Sequence, residues 1–350
     1  MSEDIKKNDL LISWLQKNFI PYTENFDLQK KSWLKCGGII KILIEPENLD
    51  QVKKILIYLK SKNQEYYPIG NLSNTLFRDG QILTPFINLK NIKQEFTYKK
   101  TDTNIELNVN AGTSIYKYVS KIQNNFNFSG QEGLIGIPGT VGAAIITNAS
   151  SYGSCISDYI DEISYFDSEC NFLVISKTDA NFNWRRSIFK EKKNYLIYEV
   201  KFILPLKKSM DLEKINMKVI EIKKHRSKYQ EKKHPNLGSL YATKNLYYDL
   251  SKISFIFFIL YLLNIVITKT MYIFKIEDKL ILYRKYLVKV YSIIFRIQSK
   301  KFSFSDRTIN CLVNNEKKTE SYFAFELIEK LEKKIKGKIK LENVLVKNIK

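Results

Sequence analysis

The segment from Gly130 to Gly153, GQEGLIGIPGTVGAAIITNASSYG, places the tightest limit on how this chain can fold. Gly136, Gly139 and Gly142 fall close together among small side chains. Backbone of this kind can approach a planar ligand or a pyrophosphate closely and offer it free N–H groups. A bare Gly-rich turn opening a buried helix would use the same residues, so the flanking sequence has to decide between the two.

On either side, helical and strand periods alternate without a regular βαβαβ run. A helix is expected from Asp4 to about Asn18. A strand follows in GGIIKILI, and an amphipathic helix follows the Pro-Glu-Asn turn. Short strands are expected around QILTPFINL, FTYKK and NIELNVNAG, and a helix over Ser114–Asn125. A strand pair turns at Asp167–Asn171, and a strand ends at Pro205. A helix runs from Asp211 to His225 or beyond, a strand covers Asn310–Asn314, and a last helix spans about Ser321–Lys334. The class is α+β, and no Rossmann GxGxxG occurs.

The chain has 350 residues, 44% of them hydrophobic and 13% aromatic, enough for a buried core in two or three domains. Its net charge of +21 comes mostly from scattered lysines rather than Arg-centred clusters, so nucleic acid is not expected as a partner. Cys36, Cys155, Cys170 and Cys311 form no CxxC pair, and only two His accompany them. Neither a metal site nor a disulfide framework is expected. The N-terminus lacks a basic region followed by an apolar one, and a reducing cytoplasm suits the composition. One run stands apart: Ile253–Ile267 reads ISFIFFILYLLNIVI, with MYIF resuming after Lys269. It falls short of the roughly 20 apolar residues of a bilayer span. A buried helix or a strand pair is the expectation; weak membrane association through 253–274 is the alternative, since Lys252, Lys269 and Lys275 flank the run.

The string GxEGLxGIPGTVGAAIxxNAxxYG resembles the signature of the UDP-N-acetylenolpyruvoylglucosamine reductases, and further blocks follow in the family's order. SWLKCGG at Ser32–Gly38 is similar to the opening of the family's flavin domain. GNLSN at Gly70–Asn74 is similar to its phosphate turn, usually GxGSN, with Leu72 in place of the middle glycine. The resemblance implies a vanillyl-alcohol-oxidase-type (PCMH) FAD-binding domain of two α/β subdomains over 31–206. An N-terminal helix and link (1–30) would precede it, and a smaller, divergent α+β substrate domain (207–350) would follow. FAD would lie against Gly70, Asn71, Leu72, Ser73 and Asn74, and against Gly136, Ile137, Pro138, Gly139, Thr140, Gly142, Ala143, Asn148, Tyr152 and Gly153.

The same resemblance implies catalytic roles. In FNWRRSIFK, Arg185 stands at the family's catalytic arginine, while Trp184 and Arg186 replace the usual Tyr and Asp. In HPNLGSLYATKN, Ser239 stands at the proton-donating serine. The family's C-terminal LExEV reads LENVL here, so Val344 occupies the catalytic Glu position and Glu342 lies two residues earlier. Strand alternation would keep Glu342 on the same face at a different depth. The family's Gly-rich stretch after the serine is replaced by an apolar and basic segment at 253–301. The implied activity is NADPH-dependent reduction of UDP-N-acetylglucosamine enolpyruvate to UDP-N-acetylmuramate in peptidoglycan precursor synthesis. The alternatives are another FAD-linked oxidoreductase of cell-envelope sugars, or a flavin-binding protein without this activity.

Overall fold

The computed structural model describes residues 3–192, 194–276, 279–297, 299–316, 318–347 and 349. Its first layer forms around the strand Ile39–Ile44, whose aliphatic run is buried on both faces. Tyr22–Asp27 pairs with it antiparallel; Gln81–Ile82 and Phe86–Asn88 pair parallel, and Tyr67–Ile69 extends the sheet beyond Phe86–Asn88. The helix Leu49–Ser61 starts where Asn48 accepts from the Gln51 N–H at 2.9 Å, satisfying one of the first turn's free donors. Val52, Ile55, Leu56 and Leu59 give it a buried stripe at helical spacing.

The second layer is an antiparallel sheet in the order Phe172–Ser176, Ile160–Phe166, Leu196–Pro205, Asn104–Asn110, Phe96–Lys100. The helices Ile115–Phe126 and Val141–Thr147 pack on it. Tyr118 of the longer helix stacks on Phe202 at 4.6 Å between centroids. These two α/β layers are the expected PCMH-type arrangement, and the expected α+β class holds throughout.

The remaining chain forms a third unit. It is reached through the helix Leu212–Tyr229, which packs on the second layer by Val219 and Arg226, and it contains the strand hairpin Phe302–Ser305 with Thr308–Asn314 and the helix Tyr322–Ile335. Its last strand, Val344–Val346, leaves the unit and pairs parallel with Thr75–Phe77 of the first layer. Buried Asn314 ties the unit to the start of the flavin-like layer. Its Nδ2 donates to Leu34 O (2.9 Å) and Lys35 O (3.2 Å), while its Oδ1 accepts from Glu316 N and Thr319 Oγ1.

One expectation is overturned here. The apolar run is neither a buried helix nor a strand pair: it is a single helix, Phe255–Ile273, with only 11% of its most apolar window buried. The next helix, Leu280–Phe295, is docked by Leu287, Val288, Tyr291 and Phe295. Apolar composition cannot tell burial by protein from exposure to another apolar medium.

Replacing Asn314 by Ala removes the donor to the Leu34 and Lys35 carbonyls and the acceptor of the Glu316 N–H, and leaves the Thr319 hydroxyl its longer bond to Glu316 O at 3.5 Å. The expected loss is about 2–4 kcal/mol of unfolding free energy, measured by urea denaturation. A change within about 0.5 kcal/mol would show that water replaces the amide.

Candidate active site

A cleft of about 2300 Å³ opens among the three units. That exceeds the ~300–1,000 Å³ of a pocket for one drug-sized ligand. One wall is the turn Gly70–Asn74. Among the described residues, no protein acceptor is found for the N–H groups of Asn71, Leu72, Ser73 and Asn74. Consecutive free N–H groups form a concavity suited to a phosphate oxygen. The facing wall is Gly136–Gly139. Asn71 Nδ2 joins the walls by donating to Pro138 O at 3.1 Å. A Cβ at Gly70 would lie 2.6 Å from Thr140 Oγ1, so this approach requires glycine.

Leu72 shows why the family usually places glycine at that position. Its φ is +55°, the left-handed region that costs a residue with a Cβ about 1–2 kcal/mol. Its side chain is buried with Leu28, Ile40, Phe77 and Phe86, which offsets the strain.

Arg185 also has a left-handed backbone, at φ +53°, in a turn closed by Asn183 N–H to Arg186 O at 2.9 Å. The helix Val141–Thr147 holds this turn from two directions. Ser187 Oγ donates to Ile146 O (3.0 Å), and Asn148 Nδ2 donates to Asn183 O (3.0 Å). The Arg185 guanidinium is thereby placed 5.2 Å from the Trp184 ring centre, with its Nε 3.1 Å from Glu342 Oε1. The Nε–H does not point along that contact, so this is an ion pair rather than an aligned hydrogen bond. Arg186 turns away and pairs with Glu191 at 2.7 Å on the surface.

Ser239 lies on the facing rim, exposed, after Gly238 at φ +71°. The segment following it is bracketed from both sides. Leu240 N–H donates to Asn310 O, and Glu342 N–H donates to Leu240 O, each at 2.8 Å. Burial raises the Glu342 carboxyl above the usual range, and Arg185 and Lys190 draw it back only in part. Burial lowers the Lys190 ammonium, as does nearby Lys340 and, less strongly, Arg185.

The structure thus brings Arg185, Ser239, Glu342 and Val344 to one cleft. Gly70, Leu72, Ser73, Asn74, Gly136, Ile137, Pro138, Gly139 and Ala143 also line it. Asn71, Thr140, Gly142, Asn148, Tyr152 and Gly153 build its support instead. Gly142 abuts Ala111, Asn148 ends the short helix, and Tyr152-Gly153 turns a small hairpin. Residues missed from sequence are Lys190, Asn343 and Arg226. Arg226 is buried, donates to Gly133 O (3.0 Å) and Ser151 Oγ (2.8 Å), and lies over Tyr152. Among the described residues, twelve Lys and Arg side chains line the cleft against four carboxylates, so it favours an anionic occupant.

An FAD binding domain matches residues 40–173. The UDP-N-acetylenolpyruvoylglucosamine reductase of Clostridium beijerinckii is 31% identical over 216 residues, covering 62% of this chain and 68% of that protein. The chain belongs to the UDP-N-acetylenolpyruvoylglucosamine reductase family. The Caldanaerobacter subterraneus reductase is 25% identical over 224 residues, covering 64% of this chain and 71% of that one. In fold, the reductase of Thermus caldophilus matches with a TM-score of 0.64 at 19% identity, over 93% of this chain and 98% of that one. FAD fits this member of the reductase family: the free N–H turn and the close approach at Gly70 leave backbone bare where a pyrophosphate needs donors.

A carboxyl whose folded pKa is raised contributes stability below its unfolded pKa and loses it as pH rises through the folded value. Glu342→Gln is therefore expected to gain stability relative to the parent between about pH 4 and about pH 8. Urea unfolding of both proteins at the two pH values measures this. A constant difference would mean that Arg185 and Lys190 cancel the burial effect.

Proposed function

We propose that this protein uses NADPH and FAD to reduce UDP-N-acetylglucosamine enolpyruvate to UDP-N-acetylmuramate in peptidoglycan precursor synthesis. The observation carrying this reading is the convergence of Arg185, Glu342 and Ser239 on a cationic cleft walled by the Gly70–Asn74 turn. Bound FAD, recharged by NADPH, would supply the hydride that the enolpyruvyl double bond takes up at its terminal carbon.

The protein's own groups account for the rest. Arg185, with its planar fork, holds the substrate carboxylate and stabilises the negative charge that grows there as the double bond is reduced. Glu342, paired with Arg185, stands in for the family's Glu at the position of Val344, which helps to stabilise the intermediate. The Ser239 Oγ–H gives its proton to the carbon next to the carboxylate and regains one from solvent. A serine is a weak acid, so the transfer depends on the cations that surround the developing charge. One hydride and one proton are added, and the lactyl ether results. The substrate's diphosphate, like that of FAD, suits the excess of cleft lysines.

A second reading is favoured by Val344: a valine lining the cleft where the family carries a carboxylate is compatible with a flavoenzyme acting on another cell-envelope sugar.

The test is anaerobic NADPH oxidation by the FAD-loaded protein with and without UDP-N-acetylglucosamine enolpyruvate. Turnover is expected to require that substrate and to vanish in Ser239→Ala with FAD retained. Glu342→Gln is expected to lower kcat about 100- to 1,000-fold. FAD-replete protein that ignores this substrate but reduces another envelope sugar would establish the second reading.

A further inference from the structure

The helix Phe255–Ile273 is inside out for a protein in water. A surface helix normally turns its polar stripe to solvent. Here Asn264 and Thr268 face inward: Asn264 Oδ1 accepts from Tyr283 Oη (3.1 Å) and Thr268 Oγ1 (3.4 Å). The outward face is Phe255, Ile259, Leu263, Val266 and Ile273, and Phe255 and Ile273 are each 75% exposed. The neighbouring helix Leu280–Phe295 continues the apolar surface with Leu282, Tyr286 and Ile293. Contiguous exposed apolar area on this scale marks an interaction site rather than scattered surface residues.

The patch is presented rigidly. Phe257 stacks on Tyr291 (5.7 Å) and Phe295 (5.3 Å), and these are buried in the core of the third unit. Around the patch positive charge predominates, although Lys252 and Lys285 pair with Asp249 and Asp306. From Lys252 to Lys301 the sequence carries ten Lys and Arg against Glu277 and Asp278. Two copies meeting through this face would bring those cations together, whereas an anionic surface would neutralise them.

Length alone would let Phe255–Ile273 cross a bilayer, since 19 residues at 1.5 Å each reach about 28 Å. The return helix rules against it. Leu280–Phe295 carries Arg284, Lys285 and Lys289 near its middle, and charges at bilayer depth are costly. Lying in the plane of the surface satisfies both helices: the apolar face enters the acyl boundary and the cations stay among headgroups.

We propose that the helix pair 255–295 is a membrane-docking hairpin that binds anionic phospholipid in-plane, without crossing. The inference is independent of the chemistry assigned to the cleft. The test is flotation of the full chain with phosphatidylglycerol-containing vesicles and with pure phosphatidylcholine vesicles. A variant with Ile259→Glu, Leu263→Glu and Val266→Glu changes exposed side chains remote from the cleft; its circular dichroism and Tm report whether it folds. The expected result is flotation on anionic vesicles, weakened by salt, and reduced at least about tenfold in the folded variant.

Equal flotation of parent and variant, or no flotation of the parent, would overturn the proposal. Lipid-independent self-association that the variant abolishes, with no flotation, would assign the face to a second copy instead. Retention in the membrane after high-pH carbonate washing would overturn the in-plane geometry. Should the variant misfold, Lys252→Gln with Lys275→Gln and Lys289→Gln serves in its place: flotation on anionic vesicles must fall for the proposal to stand.

Discussion

The cleft depends on one buried amide, that of Asn343. Its Nδ2 lies 2.6 Å from Asn74 Oδ1, 3.1 Å from Leu237 O and 3.1 Å from Ser239 O. An amide nitrogen has two hydrogens, so three acceptors must share them. The group therefore locks the phosphate-type turn, the serine segment and the C-terminal strand into one arrangement. Asn74 returns the favour by donating its own Nδ2 to Glu342 O at 3.2 Å. From there the chain adds Val344–Val346 beside Thr75–Phe77, with Val344 opposite Thr75. Residues some 270 positions apart in sequence thus set the depth at which Glu342 meets Arg185. A network of this kind is stiff because each member is a buried polar group that would be costly to leave unpaired.

Two left-handed residues sit at either side of that lock. Leu72 and Arg185 both carry a Cβ in a region that favours glycine. Strain of this sort persists only where the surroundings over-determine it, and it gathers at functional sites. The determinants differ. Leu72 is held by apolar burial, which any large aliphatic side chain could supply. Arg185 is held by polar bonds from Ser187 and Asn148, which act on the backbone and leave the guanidinium to pair with Glu342. The first is a structural compromise with the missing glycine. The second aims a charge.

Local signals carried most of the architecture. Asn48 and Ser114 mark helix starts, the aliphatic run IIKILI marks a central strand, and the Gly-rich block marks the close wall of the cleft. What local signals could not carry are the amide hubs. Asn314 and Asn343 act across nearly the whole chain, and nothing within a few residues of either announces it. Arg226 was legible in a way that periodicity ignores. The chain has seven arginines against fifty lysines, and three of the seven use their forks to join distant segments. Arg78, Arg226 and Arg307 each reach backbone carbonyls in other segments with their planar forks. The direction of the apolar helix was illegible for a different reason. Its stripe has the spacing of a buried helix, and only the polar pair Asn264 and Thr268, facing the interior, shows which side the protein occupies.

The docking hairpin and the cleft are joined by a short mechanical route. Tyr291 and Phe295 of the hairpin's second helix pack with Phe302, Phe304, Ile309 and Leu312 of the strand pair. On the same strand, Asn310 clasps Tyr241 through both its amide atoms, at 2.8 and 3.1 Å, two residues beyond Ser239. A surface that fixes the hairpin therefore fixes the strand that positions the serine. Close-packed cores transmit such constraints because they have few voids to absorb them. The apolar insertion is thus built on the layer that holds Ser239, while the opposite wall, with the Gly70–Asn74 turn, belongs to a separate sheet. Restraint at the hairpin thus bears on the Ser239 side of the cleft, and the Asn343 amide couples that side to the Gly70–Asn74 turn.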